Sequence, residues 1–366
     1  MTPPLAAAVA AHGLPSGVRS LPDRPLPAHQ WRDVLGDAKD ARTIGWLAQA
    51  VDDGSFATTE AQAEEAYELH AEAMGLALVL ERLLLDVVAL LSDAGVDHRV
   101  LKGSAVAHLD YPDPALRPFG DVDVLVPAER FDMAVATLLA AGFVRERPQL
   151  RPGFDRRFAK STTLTSTEQL PLDLHRTLAA GRFGFALDAG DLFASSSPFR
   201  LGGRRLLALA PEERFLHACY HAVLGSPKPP LLALRDIAQM LLTKELDLVG
   251  VQRRCTAWQG QAVLARAVVL TWDTFGMVEP SPLLDWSRQY RPDAADRWVL
   301  RAHTVGRSGG TQAITAVAAI TGVRQKLAFL WALIVPQRAF LGDGKARYWR
   351  WWARGAAALV HAVGRG

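Results

Sequence analysis

The segment Asp121-Val122-Asp123-Val124-Leu125-Val126 alternates acids with aliphatic residues and then runs apolar. Such a pattern reads as a β-strand, and a strand sends successive side chains to opposite faces. Asp121 and Asp123 therefore share one face, roughly 7 Å apart along the backbone. Two carboxylates on one face of an otherwise apolar strand are costly to place together. Like charges at that range raise a pKa or require a cation. A divalent metal resolves the repulsion, and paired metal ions about 4 Å apart are a general device for phosphoryl transfer.

Upstream, His98-Arg99-Val100-Leu101-Lys102 reads as a first strand, and Ser104–Leu109 as a short helix ended by Tyr111-Pro112-Asp113-Pro114. The junction Lys102-Gly103-Ser104 suits phosphate. Gly103 lets the backbone approach closely, Ser104 brings a hydroxyl, and the helix start brings free N–H groups.

These residues resemble the nucleotidyltransferase superfamily of polymerase-beta-like fold, whose signature is Gly-Ser or Gly-Gly, a spacer, then Asp-x-Asp on a strand. The wider pattern is similar to one bacterial branch, the uncharacterised nucleotidyltransferase family. The matching residues are Leu101-Lys102-Gly103, Tyr111-Pro112-Asp113, Arg117 and Asp121 to Val126, and the similarity runs from about Trp31 to about Trp352. Sixteen residues separate Ser104 from Asp121, which is long for the superfamily and usual for this branch.

The resemblance implies transfer of a nucleoside monophosphate from an NTP donor to a hydroxyl or phosphate of an acceptor. Pyrophosphate leaves, and two Mg²⁺ ions assist. It implies that Asp121, Asp123 and a third acid, Asp173, hold the metals. Asp173 lies in Leu170-Pro171-Leu172-Asp173-Leu174-His175 at strand spacing. It would take the proton of the attacking hydroxyl or help hold the metal that activates it. Gly103 and Ser104 would cradle the β- and γ-phosphates, with Lys102 and Arg117 as phosphate contacts. His175 shares a face with Asp173, where it orients substrate, contacts Asp173 or is simply structural.

Around this core the chain reads as helical. Residues 1–30, rich in Pro, Ala and Gly, read as a poorly ordered segment. Residues 31–52 and 56–96 read as helices, the second carrying Leu76, Leu80, Leu83, Leu84, Val87, Leu90 and Leu91 at helical spacing. Pro127 opens a helix to Ala141, capped by Gly142. Residues 143–147, 156–165 and 169–175 read as further strands, and helical patterns dominate from Pro211 onward. The expected fold class is α+β. A small mixed-sheet core at 97–200 is flanked by a helical region at 31–96 and a helical domain at 201–366.

Other groups have bland readings. His217 and His221 share a helix face, but Ala218 stands where a zinc-peptidase pattern needs Glu, so helix packing is expected. Arg235 and Asp236 are candidates to line a cleft, and Cys219 and Cys255 read as buried apolar side chains. The stretch 345–361 interleaves Arg347, Trp349, Arg350, Trp351, Trp352 and Arg354. Core packing of the tryptophans is its favoured reading, with a peripheral membrane or RNA contact as the other.

A net charge of +3 does not argue for wrapping long nucleic acid. A small-molecule or peptide acceptor is therefore the favoured expectation. Two cysteines fit a reducing compartment. With no basic-then-apolar start and no long apolar window, the expected location is the cytoplasm. The alternatives to an enzyme are a non-catalytic NTP-binding scaffold and a membrane-surface protein acting through the C-terminal Trp/Arg stretch.

Overall fold

The computed structural model describes residues 4–15, 20–226, 228–304 and 309–341, so the basic, aromatic stretch 345–361 lies outside them. The fold is α+β. Four helices precede the sheet: α1 (Pro4–Ala11), α2 (Ala28–Asp40), α3 (Ile44–Asp52) and α4 (Glu60–Asp93). The strands are β1 (Arg99–Val100), β2 (Val122–Leu125), β3 (Val144–Arg145), β4 (Ser161–Thr165), β5 (Pro171–His175), β6 (Ser197–Leu201) and β7 (Arg204–Ala208). Between them lie α5 (Lys102–Asp110), α6 (Phe131–Ala140), α7 (Phe154–Phe158), α8 (Gly181–Ala186) and α9 (Ala189–Ala194). The C-terminal helices begin with α10 (Pro211–Gly225), α11 (Leu231–Thr243), α12 (Leu248–Ala257) and α13 (Gln261–Phe275). They continue through α14 (Pro282–Gln289), α15 (Ala294–Thr304), α16 (Gly309–Ala319), α17 (Val323–Ile334) and α18 (Arg338–Leu341). Among the described residues no helix is long and apolar enough to cross a membrane.

The sheet runs in the order β3-β4-β5-β2-β1-β7-β6, with β2–β5 and β1–β7 parallel and the other pairs antiparallel. The two-residue period of β2 decides what each face meets. Val122, Val124 and Val126 join Leu172 and Leu174 of β5 in a core closed by Leu80, Leu84, Val87 and Leu91 of α4. Leu125 points the other way and packs with Leu216, Tyr220 and Leu234 of the C-terminal helices. Asp123 and Asp173 share that second face, so the acids lie between the sheet and the helical half.

The apolar stripe of α4 divides in two. Leu80, Leu84, Val87 and Leu91 are buried, whereas Leu76 is 46% exposed and the earlier Ala66, Leu69 and Ala73 join the helical core instead. Its start carries a capping box, with Gln62 N–H donating to Thr59 Oγ1 and Thr59 N–H donating to Gln62 Oε1.

Four local expectations differ from the structure. The expected helix 31–52 is two helices, broken at Arg42, which takes φ 55°. The expected strand 156–165 starts as α7, because Phe154 and Phe158 lie four apart on one helix face and both meet Phe329, the first stacked on it and the second edge-on. The Pro- and Ala-rich start contains α1, whose buried Ala7, Val9 and Ala10 pack with the helical core. Finally, β6 and β7 extend the sheet to Ala208. Their hairpin turns on Gly202 and Gly203, both at positive φ, a conformation glycine adopts without steric cost.

One glycine contact ties the N-terminal helices to the core. A Cβ on Gly45 of α3 would lie 2.8 Å from Leu116 Cα and 2.9 Å from the Ala115 carbonyl oxygen. Both are backbone atoms and cannot swing aside. Gly45→Ala is expected to cost about 1–3 kcal/mol, read as a lower urea midpoint. An unchanged midpoint would show that α3 does not seat this turn.

Candidate active site

The site is built where β1 turns into α5. Lys102 and Gly103 both take positive φ, 33° and 27°. For lysine that conformation costs of order 1–3 kcal/mol unless neighbouring contacts hold it. Here Lys102 Nζ lies 2.8 Å from Asp123 Oδ1. Arg117 holds the glycine, its Nη1 donating to the Gly103 carbonyl at 3.2 Å.

The register of the parallel pair β2–β5 sets Asp123 beside Asp173 and Leu125 beside His175. His175 Nε2 lies 2.7 Å from Asp123 Oδ1. An ionised carboxylate only accepts, so Nε2 carries the proton and Nδ1 does not. Across β4, Thr163 Oγ1 donates to Asp173 Oδ1 at 2.6 Å. Asp123 Oδ2 and His175 Nδ1 are buried and have no hydrogen-bond partner among the described residues. Asp123, Asp173 and His175 each offer one ligand atom, and the three atoms lie within 4.8 Å of one another. That group can hold a cation, and Asp123 Oδ2 supplies a free anionic oxygen for it.

Asp121 stands just before β2, outside that group of three, and lines the cavity in front of it. The cavity has a volume of about 330 Å³, with walls that include Arg42, Lys102, Gly103, Asp121, Asp123, His221 and Asp236. Small-ligand sites occupy roughly 300–1,000 Å³, so it is of the right order for one.

The charges are strongly coupled. Burial alone would raise the Asp123 carboxyl, but the Lys102 charge and the His175 hydrogen bond outweigh burial and hold it well below the usual carboxylate range. Asp121 moves the other way, raised by burial and then by Asp123. Lys102 stays charged because Asp123 and Asp121 outweigh its burial. Lys160, at the start of β4, is pushed down by burial and then by Lys102.

The expected phosphate contacts occupy different places. Lys102, Gly103 and Arg117 line the cavity. Ser104 is buried, and its hydroxyl donates to Glu81 Oε1 at 3.4 Å, an oxygen that His108 Nε2 also approaches at 2.8 Å. Arg117 is held in a buried fork by Asp236 of α11. Its Nε donates to Oδ1 at 2.8 Å and its Nη2 to Oδ2 at 2.7 Å. Tyr111 also donates to Asp236 Oδ1, at 2.7 Å. Arg235 faces away, bonded to the Ala10 and His12 carbonyls and stacked on Trp46.

Sequence reasoning missed several residues here. Arg42 comes from the unforeseen break between α2 and α3, and Thr163 enters only through strand pairing. His221, expected to serve helix packing, lines the cavity. Burial, Lys102 and Lys160 push its imidazole down to about 3, so it is neutral at pH 7. An unfolded histidine titrates near 6.5, so the unfolded chain binds the extra proton between about pH 6.5 and 3. His221 therefore stabilises the fold above pH 6.5 and loses that contribution as pH falls, by at most about 1.4 kcal/mol per unit. Urea unfolding from pH 7 to 4 should show a shallower decline in His221→Gln, and parallel curves would contradict this.

Residues 27–276 match the family described as uncharacterised nucleotidyltransferase. Two solved structures are similar at a low level. One is a lincosamide antibiotic adenylyltransferase with lincomycin bound, at 16% identity over 36% of this chain and 82% of that one, with a TM-score of 0.26. The other is an antigenic nucleotidyltransferase-like protein from Paracoccidioides brasiliensis, at 15% identity over 57% and 96%, with a TM-score of 0.35. Likenesses this loose bear on neither substrate nor mechanism. No curated protein matches the chain.

Proposed function

The chain belongs to the family of uncharacterised nucleotidyltransferases, and we propose that it moves a nucleoside monophosphate from an NTP to a hydroxyl or phosphate of a small-molecule or peptide acceptor, releasing pyrophosphate. The observation that carries this reading is the in-register pair Asp123 and Asp173, with Asp123 Oδ2 buried and unpartnered among the described residues. Hard carboxylate oxygens suit Mg²⁺, which prefers oxygen ligands and usually keeps several waters. Asp121, Asp123 and Asp173 are the residues that would hold two such ions. Bound there, Mg²⁺ supplies charge neutralisation for the triphosphate and acidifies the acceptor hydroxyl.

The chain's own groups divide the remaining work. Lys102, on its strained turn, brings a positive charge to the phosphates at the cavity floor, and the Gly103 backbone lets them come close. Asp173 keeps one oxygen for Thr163, leaving the second for a metal or the acceptor's proton. His175 fixes Asp123 by donating from Nε2. The limited volume and the small net charge both favour an acceptor smaller than a long nucleic acid.

The test uses NTPs labelled at the α- or the γ-phosphate, incubated with the protein, Mg²⁺ and a pool of low-molecular-weight acceptors. The reading predicts that α-label enters an acceptor while γ-label leaves as pyrophosphate. Transfer of γ-label instead would make the protein a kinase and overturn the assignment.

A further inference from the structure

Arg42 is the cavity residue that neither the motif nor the sheet explains. It sits where α2 ends, with φ 55°, the left-handed residue of a Schellman-type cap in which Thr43 N–H donates to the Ala38 carbonyl and Arg42 N–H to the Lys39 carbonyl. The side chain crosses from the N-terminal helices to the residue before Asp121. A Cβ on Gly120 would lie 2.9 Å from Arg42 Nη2, 3.3 Å from Cζ and 3.6 Å from Nη1. The guanidinium thus rests over the bare face of Gly120, a seat that a side chain there would take away.

The charge at this seat is unspent. Among the described residues the Arg42 guanidinium makes no hydrogen bond or ion pair, unlike Arg117, whose fork is filled by Asp236. It lines the same cavity as Lys102, Asp121 and Asp123, with Asp40 beside it. Its charge acts to lower the Asp121 carboxyl against burial. A planar guanidinium beside a lysine, above a pair of carboxylates suited to metal, matches the phosphate chain of a metal-bound triphosphate.

We propose that Arg42 is a substrate-binding residue that clamps the polyphosphate part of the donor nucleotide, which makes the N-terminal helices part of the binding site. The proposal rests on the nucleotidyltransferase reading and adds a residue from outside the core.

The test is calorimetric titration of Mg²⁺-tripolyphosphate and of each Mg²⁺-NTP into wild type, Arg42→Gly, Arg42→Lys and Gly120→Ala. Arg42→Gly places glycine at a left-handed helix-end position that favours it, so it is expected to melt no lower than wild type while binding both probes at least tenfold more weakly. Arg42→Lys should recover part of the affinity, because the charge returns without the fork. Gly120→Ala should weaken binding by displacing a guanidinium that is still present. Wild-type affinity in Arg42→Gly would overturn this proposal and leave the nucleotidyltransferase reading standing. Absence of binding by wild type to every probe would overturn both.

Discussion

Asp123→Ala is expected to lower nucleotidyl transfer by at least about a thousandfold, equivalent to roughly 4 kcal/mol of transition-state stabilisation. Three features converge on this carboxylate. It is buried with one oxygen unpartnered, it stands in register with Asp173, and it neutralises Lys102 at 2.8 Å. Removing it takes away a proposed metal ligand and the anchor of Lys102 together. The variant is still expected to fold, because Asp121 and Asp173 also lie within electrostatic reach of Lys102. Thermal melting gives the control, and kcat measured once an acceptor is known gives the test. Asp121→Ala should also lose activity, as it removes a second carboxylate of the cavity wall. Turnover retained by the Asp121→Ala, Asp123→Ala double variant would contradict the assignment.

Asp236→Ala is expected to produce a large loss of stability, about 3–5 kcal/mol. Its carboxylate accepts from both Arg117 and Tyr111, and Arg117 and Asp236 are each only about 5% exposed. Deleting one partner of such a pair strands the other charge without water, which is why the cost exceeds that of a surface pair. The loss has a functional side. Arg117 also donates to the Gly103 carbonyl, so the cleft turn rests on a residue anchored by the C-terminal helical half. Asp236→Asn should be milder in melting temperature and should weaken NTP binding more than it slows the bound complex. An Asp236→Ala melting curve indistinguishable from wild type would show that the pair is not structural.

The readable parts of this site were those in which chemistry and spacing coincide locally. Asp121 and Asp123 are two apart in a strand-like pattern, although β2 begins at Val122 and leaves Asp121 just before it. Asp173 and His175 could be placed on one face in the same way. Their meeting with Asp123 could not, because register between β2 and β5 depends on a crossover of some fifty residues. Arg117 was noticed as a charge and placed on phosphate. Its buried partner Asp236 lies 119 residues away, and no local pattern announces such a pair. Ser104 has a partner that no motif announces, its hydroxyl donating to Glu81 of α4.

The fold divides similarly. The α4 stripe and the helical half after Pro211 are visible as period, and the Gly202-Gly203 hairpin could have been read from its turn. The break at Arg42 offered less, with neither proline nor glycine at the site. There α2 ends in a Schellman-type cap with Arg42 in the position glycine usually takes, and α3 then sets Gly45 against the Ala115-Leu116 backbone.

The most direct measurement is calorimetric titration of ATP, GTP, CTP and UTP, with and without Mg²⁺, into wild type and Asp123→Ala. The account predicts that at least one NTP binds wild type only with Mg²⁺ and that Asp123→Ala loses this binding. Binding of equal strength in the variant, or none to wild type at any metal concentration, would contradict it.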